Sequence, residues 1–233
     1  MNGSAMNGSA SVKDNTASGN TADQGNGGGV YVKSGTFNMN GKASITGNTA
    51  TNGGGVHASG GKFNMNGTAS IKSNAGNGVF VNGGTFTVAG APTVTGNTMN
   101  GDASNVFLDG SASITIGGAL NGDKGSIGVT KVSGTIATVK KSLSKVLTAD
   151  DAAKFQSDKA GFEVSVDPNN KKQLVLKMKE TPPSDHKHEW TYKANKATIT
   201  ATCANTDKLC NAPNGGSVTI NPPANLTQGS NGK

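Results

Sequence analysis

Two spacings recur unchanged along the first half of this chain. Val30, Val56 and Val79 are each followed after seven residues by Phe37, Phe63 and Phe86, and eight residues later by Ile45, Ile71 and Val94. The third interval varies: 11 from Ile45 to Val56, 8 from Ile71 to Val79, 12 from Val94 to Val106, and 18 from Val12 to Val30. Two arcs of fixed length and one that accepts insertions do not describe an amphipathic helix. Within the arcs apolar and polar residues alternate, as in Val30/Val32, Phe37/Met39 and Ala43/Ile45, which is the strand period. Gly, Asn, Ser and Thr fill the corners, as turn formers do. The pattern predicts an all-β chain: a parallel β-helix with three short strands per coil. Each strand pairs with its counterpart one coil away, at ~4.8 Å. The coils must stack, because one coil cannot bury its own apolar face.

Stacking sets like on like. Valine, phenylalanine and isoleucine files should line the interior. Asn15, Asn48, Asn74 and Asn97 should form a polar ladder at one corner, since Asn tolerates left-handed backbone and its amide can bond to the amide above. The triplets Gly27 to Gly29 and Gly53 to Gly55 mark a corner that needs positive φ or close backbone approach.

The repeats carry Gly28-Gly29-Val30 with Phe37-Asn38-Met39-Asn40, and Gly54-Gly55-Val56 with Phe63-Asn64-Met65-Asn66. These pairs, with the GNTA element, resemble the GG-aliphatic and F-x-x-N repeats of bacterial surface proteins of the polymorphic-outer-membrane type. The likeness covers about half the chain, and the third copy, Phe86-Thr87-Val88-Ala89, lacks the Asn. It implies a right-handed parallel β-helix on a secreted or surface-displayed, adhesin-like protein. Such a protein would touch host-cell surfaces or glycans. The segment Met6 to Val12 matches Met39 to Ile45, so the chain is expected to begin inside a coil, as a fragment with its export signal upstream.

Composition fits a thin stacked core: aromatic residues are 4% of the chain and Gly numbers 35. No apolar run is long enough for a transmembrane helix. The net charge is +7 with no arginine, and residues 1–130 carry six Lys against five Asp. Spread lysines with few aromatics read as a solvated face, not as a nucleic-acid groove.

The rod is expected over residues 1–147, its fixed spacing failing where Ser113 stands in place of a Phe. A cap follows over 148–180, with a short helix from Thr148 to Phe155 and a hairpin of 162–166 and 173–178 around Asp167-Pro168-Asn169-Asn170. Residues 181–185 read as a linker. Strands near Trp190, Thr198 and Val218 point to a partial small all-β module over 186–233, for which an immunoglobulin-like sandwich is one reading.

Catalytic signatures are lacking. The rod's acids, Asp14, Asp23, Asp102, Asp109 and Asp123, show no pairing between adjacent coils of the kind a polysaccharide lyase or hydrolase needs. No calcium repeat or phosphate loop occurs, and no cofactor is expected. His57, beside Val56, is expected to be a solvated outward side chain. Loops on a rigid scaffold commonly carry binding. The variable arc is therefore the expected contact edge: Asp23, Gln24 and Asn26, then Thr51 and Asn52, then Asn100 and Asp102. Segment 18–26, seven residues longer than its counterpart in the next coil, should protrude.

His186, His188, Cys203 and Cys210 are a candidate zinc set, but C-x6-C is not a knuckle spacing. A Cys203–Cys210 disulfide is the preferred reading, with free thiols also open. Mass spectrometry of exported protein is expected to show the two thiols oxidised and none free to alkylate. Zinc that survives dialysis in stoichiometric amount would favour the metal site instead.

Overall fold

The computed structural model describes residues 4–19, 25–131 and 133–179, with the backbone of Trp190–Asn195, Thr198–Cys203 and Ser217–Ile220. It contains the expected parallel β-helix. One file of strands is Val30–Val32, Val56–Ala58, Val79–Val81 and Val106–Leu108, with Val30, Val56, Val79 and Val106 in register. A second is Ser4–Met6, Thr36–Met39, Lys62–Gly67, Thr85–Gly90, Ile114–Leu120 and Thr135–Val139. In it Phe37, Phe63 and Phe86 lie over one another and are followed by Ile114. The third file sets Val12, Ile45, Ile71 and Val94 in register. Ile114 therefore occupies the phenylalanine position. The loop after Leu108 holds one residue more than in earlier coils, which is why the seven-residue spacing failed at Ser113.

These files are the core. Val56, Val79, Phe63, Phe86, Ile45, Ile71 and Val94 are fully buried. The Phe63 and Phe86 rings stack 4.9 Å apart and nearly parallel, whereas Phe37 lies 5.8 Å from Phe63 with no ring beyond it. The corner before each ladder asparagine is left-handed: Asp14, Gly47, Ser73 and Gly96 have φ between 54° and 69°. At the other corner Gly27 and Gly53 have φ of 64° and 62°, and a Cβ on Gly28 or Gly29 would stand 2.6–2.7 Å from a carbonyl oxygen of the next coil. The triplets thus answer both needs, positive φ first and close approach after.

The far end of the rod is closed by pairing. Ile127–Thr130 pairs through Ile127 with Val94 and through Val129 with Val106, joining the first and third files. Phe155–Ser157 adds to its other edge, with Ile127 opposite Phe155. The second file ends in the expected hairpin: Gln173–Met178 lies antiparallel on Thr135–Val139 and pairs with Phe162–Val166. An open strand edge is thereby covered.

The helix is shorter than expected. It spans only Ala149–Ala152, with a capping box between Thr148 and Asp151 and a 2.6 Å ion pair from Lys145 to Asp151. Phe155 does not continue it, because burial against the rod as a strand residue outweighs local helix preference. Asp150 and Asp151 lie in the first turn, where carboxylates suit the positive end of a helix. Burial opposes the Asp151 charge, but the Lys145 and Thr148 hydrogen bonds outweigh it and lower its pKa.

The chain divides into two compact units after Lys179. In the second, three antiparallel strands stand where the sequence placed them: Trp190–Asn195 with Thr198–Cys203, and the latter with Ser217–Ile220.

Replacing Phe63 by Ala is expected to cost about 3–5 kcal/mol, as for a fully buried aromatic. The same change at half-buried Phe37 should cost about 1–2 kcal/mol. Urea unfolding followed by far-ultraviolet circular dichroism reads both, and equal losses would contradict the end-of-stack position of Phe37.

Candidate functional site

The asparagine ladder runs the length of the rod and leads to the site. The backbone N–H and side-chain Nδ2 of Asn15 both donate to Asn48 Oδ1, at 3.0 and 2.9 Å. Asn48 donates in the same way to Asn74, and Asn74 to Asn97. The ladder then continues beyond the expected four members. Asn97 donates to Asn105 Oδ1, and Asn105 donates from its backbone and Nδ2 to the two oxygens of Asp158, at 2.7 and 2.6 Å. Thr130 Oγ1 donates to Asp158 as well, at 2.6 Å. The cap thus supplies the last acceptor of a ladder built by the rod.

Asp158 also lines a groove of about 650 Å³ at this end of the rod. Four segments build it: Asp102 and Ala103, the stretch 107–110, Thr130 with Lys131 and Ser133, and 158–160. Phe107 and Leu108 form its apolar wall. Lys131 Nζ donates to Gly110 O at 3.1 Å and to Ala112 O. Burial lowers the Lys131 pKa, and the Asp109 carboxylate pulls it back up. Lys159 Nζ stands 4.9 Å from the centre of the Phe162 ring. Among the described residues Asp102 and Asp109 accept no side-chain hydrogen bond, and no group of three or more His, Cys, Asp or Glu is placed to hold a metal ion.

The expected contact edge divides. Asn26 is buried, not protruding: its Oδ1 accepts from Asn52 Nδ2 at 2.9 Å, and it bridges Asn52 in parallel. Gly25 O accepts from the N–H groups of Thr51 and Asn52. The base of the long first arc is therefore docked on the next coil, for the same pairing reason that orders the strands. Thr51 is exposed. Asn100 and Asp102 are exposed in a small antiparallel hairpin, Thr98–Met99 with Asp102–Ala103, and Asn100 is left-handed with φ of 54°. Among the described residues of this set, Asp102 alone reaches the groove. Asp23 and Gln24 lie outside the described residues, as do His186, His188, Cys210 and the side chain of Cys203.

Phe107, Asp109, Lys131 and Asp158 were missed as site residues. A signal for Phe107 was present. Tyr31, His57, Phe80 and Phe107 each follow the ladder valine by one residue, and they stack outward in register at 5.1, 4.8 and 5.4 Å between ring centres. Asp158 carried none, because it comes from the cap, outside the repeat.

The chain is similar to no protein-family model, no curated protein and no solved structure. What the site does must be read from its own chemistry.

His57 overturns one expectation. It points outward but is 5% exposed, sandwiched between the Tyr31 and Phe80 rings, and neither ring nitrogen has a hydrogen-bond partner. Its place in the ring file, not solvation, sets its environment. Burial lowers its pKa below the ordinary 6.5. The unfolded chain takes up this proton near its ordinary pKa and the folded chain only at lower pH. The contribution of His57 to stability is thus full above the ordinary value and is lost as pH falls toward the folded pKa, by at most about 1.4 kcal/mol per pH unit. Replacing His57 by Phe keeps the ring and removes the unpartnered nitrogens. It is expected to raise stability by about 1 kcal/mol at neutral pH and to flatten the dependence below the ordinary histidine pKa of 6.5, measured by urea unfolding across pH. An unchanged pH slope would show that His57 titrates freely.

Proposed function

We propose that this chain is part of a secreted or cell-surface protein of bacterial adhesin type, a non-catalytic rod that holds a binding edge in place. The observation that carries the reading is the groove beside Phe107. It lies on an otherwise self-paired solenoid, at the point where an exposed hairpin of the variable arc meets the cap. The repeat likeness to polymorphic-outer-membrane-type surface proteins supports the same reading. Among the described residues no helix is long and apolar enough to cross a membrane. The partners proposed are host-cell surfaces or their glycans.

A second reading, a carbohydrate-binding or wall-associated module, is favoured by the aromatic wall and mixed-charge rim of the groove. A polysaccharide lyase or hydrolase comes third. Asp102, Asp109 and Asp158 do meet in one groove, but Asp158 already holds three donors.

The test is binding of the fluorescently labelled chain to epithelial cells and to immobilised glycans, beside a version lacking residues 18–24. Saturable binding by both versions is expected, because the groove lies away from that loop in sequence and is built by other segments. Absence of saturable binding to either surface would make the rod a spacer and overturn the adhesive reading. Release of reducing ends from polygalacturonate would move the assignment to the enzyme.

A further inference from the structure

The outward file of rings ends at the groove. Tyr31, His57, Phe80 and Phe107 occupy successive register positions, and the residue opposite Phe107 in the following strand is Thr130. Phe107 therefore has a ring on one side only. Phe80, 5.4 Å away, fixes it from behind, and its remaining surface forms part of the groove wall. An aromatic ring backed by another ring, followed by a small threonine rather than a third ring, and left half-exposed in a groove wall is a platform that needs little ordering when a ligand arrives.

The polar groups around this ring do not act alike. The Asp158 oxygens are taken by Asn105 and Thr130, and Lys131 is held by two carbonyls. Asp102 and Asp109 remain as acceptors on the rim, with Lys131 and Lys159 as cations nearby. An anion would meet the carboxylates and a cation would meet the ammonium groups. A neutral polyhydroxylated ligand meets neither penalty, because each hydroxyl both donates and accepts. The faces of a sugar ring also carry C–H groups that pack against an aromatic face. A volume of about 650 Å³ falls within the range of small-ligand clefts.

We infer that this groove binds a neutral carbohydrate, one sugar ring packed on Phe107 with its hydroxyls donating to Asp102 and Asp109. The inference rests on the reading of the chain as a binding rod and names the ligand class of that site.

The experiment is a titration of the whole isotopically labelled chain with lactose, maltose and cellobiose, followed by amide chemical shifts. Methylammonium and acetate serve as charged probes. At least one disaccharide is expected to give saturable shifts confined to 102–110, 130–133 and 158–160. Phe107→Ala should weaken that binding roughly tenfold or more. Asp109→Asn, at an exposed position, should weaken it several-fold with an unchanged unfolding transition, so a folding defect in the first variant does not hide the answer. No saturable shift with any of the three sugars, shifts with a charged probe alone, or unchanged affinity in Asp109→Asn and Phe107→Ala would each overturn the inference. A chain that binds cells with an inert groove sinks this inference and leaves the adhesive reading. A chain that takes the free sugar but binds neither cells nor immobilised glycans sinks the adhesive reading and leaves the groove.

Discussion

Backbone hydrogen bonds in the rod run between coils, and every other feature follows from that. A strand of three or four residues has no partner within its own turn, so its N–H and C=O groups must meet those of the coils on either side. Leaving them unpaired in the interior would cost about 1–3 kcal/mol each. Pairing extends past the strands into the corners: Gly27, Gly28, Gly29 and Val30 donate in sequence to Asn52, Gly53, Gly54 and Gly55. A residue inserted in these stretches would shift every later pair by one and turn the buried file outward. The freedom of the variable arc is therefore narrower than its length suggests. In the first coil it is already spent by Gly25, whose carbonyl accepts from Thr51 and Asn52.

The asparagine ladder is the side-chain version of the same constraint, and it has a direction. Each amide donates from Nδ2 and accepts at Oδ1, so a stack of identical amides leaves one end in need of a group that only accepts. A carboxylate meets that need with both oxygens. Asp158 does so here, taking two hydrogen bonds from Asn105 and one from Thr130. An asparagine in its place would turn an N–H₂ toward one of these donors. The closing strand that carries this aspartate on its heels thus satisfies the rod's backbone edge and its buried polar ladder together.

How much was legible in the sequence follows from which residues share the period. Val56, Phe63 and Ile71 announced the files because each coil repeats them, and four members of the asparagine ladder did likewise. Asn105 and Asp158 were invisible, because one breaks the spacing and the other comes from the cap. His57 was misjudged by considering it alone, although Tyr31, Phe80 and Phe107 at the same step past the valine would have shown that it stands in a stack. Asn26 was misjudged because length was equated with protrusion. The Thr148 cap was legible, while the early end of its helix was not, since Phe155 answers to Ile127 far away in sequence.

A periodic rod offers the same surface at every coil, so a site that occurs once must sit where the period breaks. The breaks are visible as irregular intervals. Twelve residues separate Val94 from Val106, eight separate Val106 from Ile114 where earlier coils have seven, and the step from Ile114 to Ile127 is wholly out of pattern. The first interval makes room for the hairpin carrying Asp102. The second brings the extra residue after Leu108, beside Asp109. The third delivers the bridging strand with Thr130 and Lys131. These three departures, unlike the 18-residue interval from Val12 to Val30, surround one groove. The regular intervals specify the scaffold, and the failures of regularity, which a search for repeats discards as noise, mark the place where this scaffold has a surface of its own.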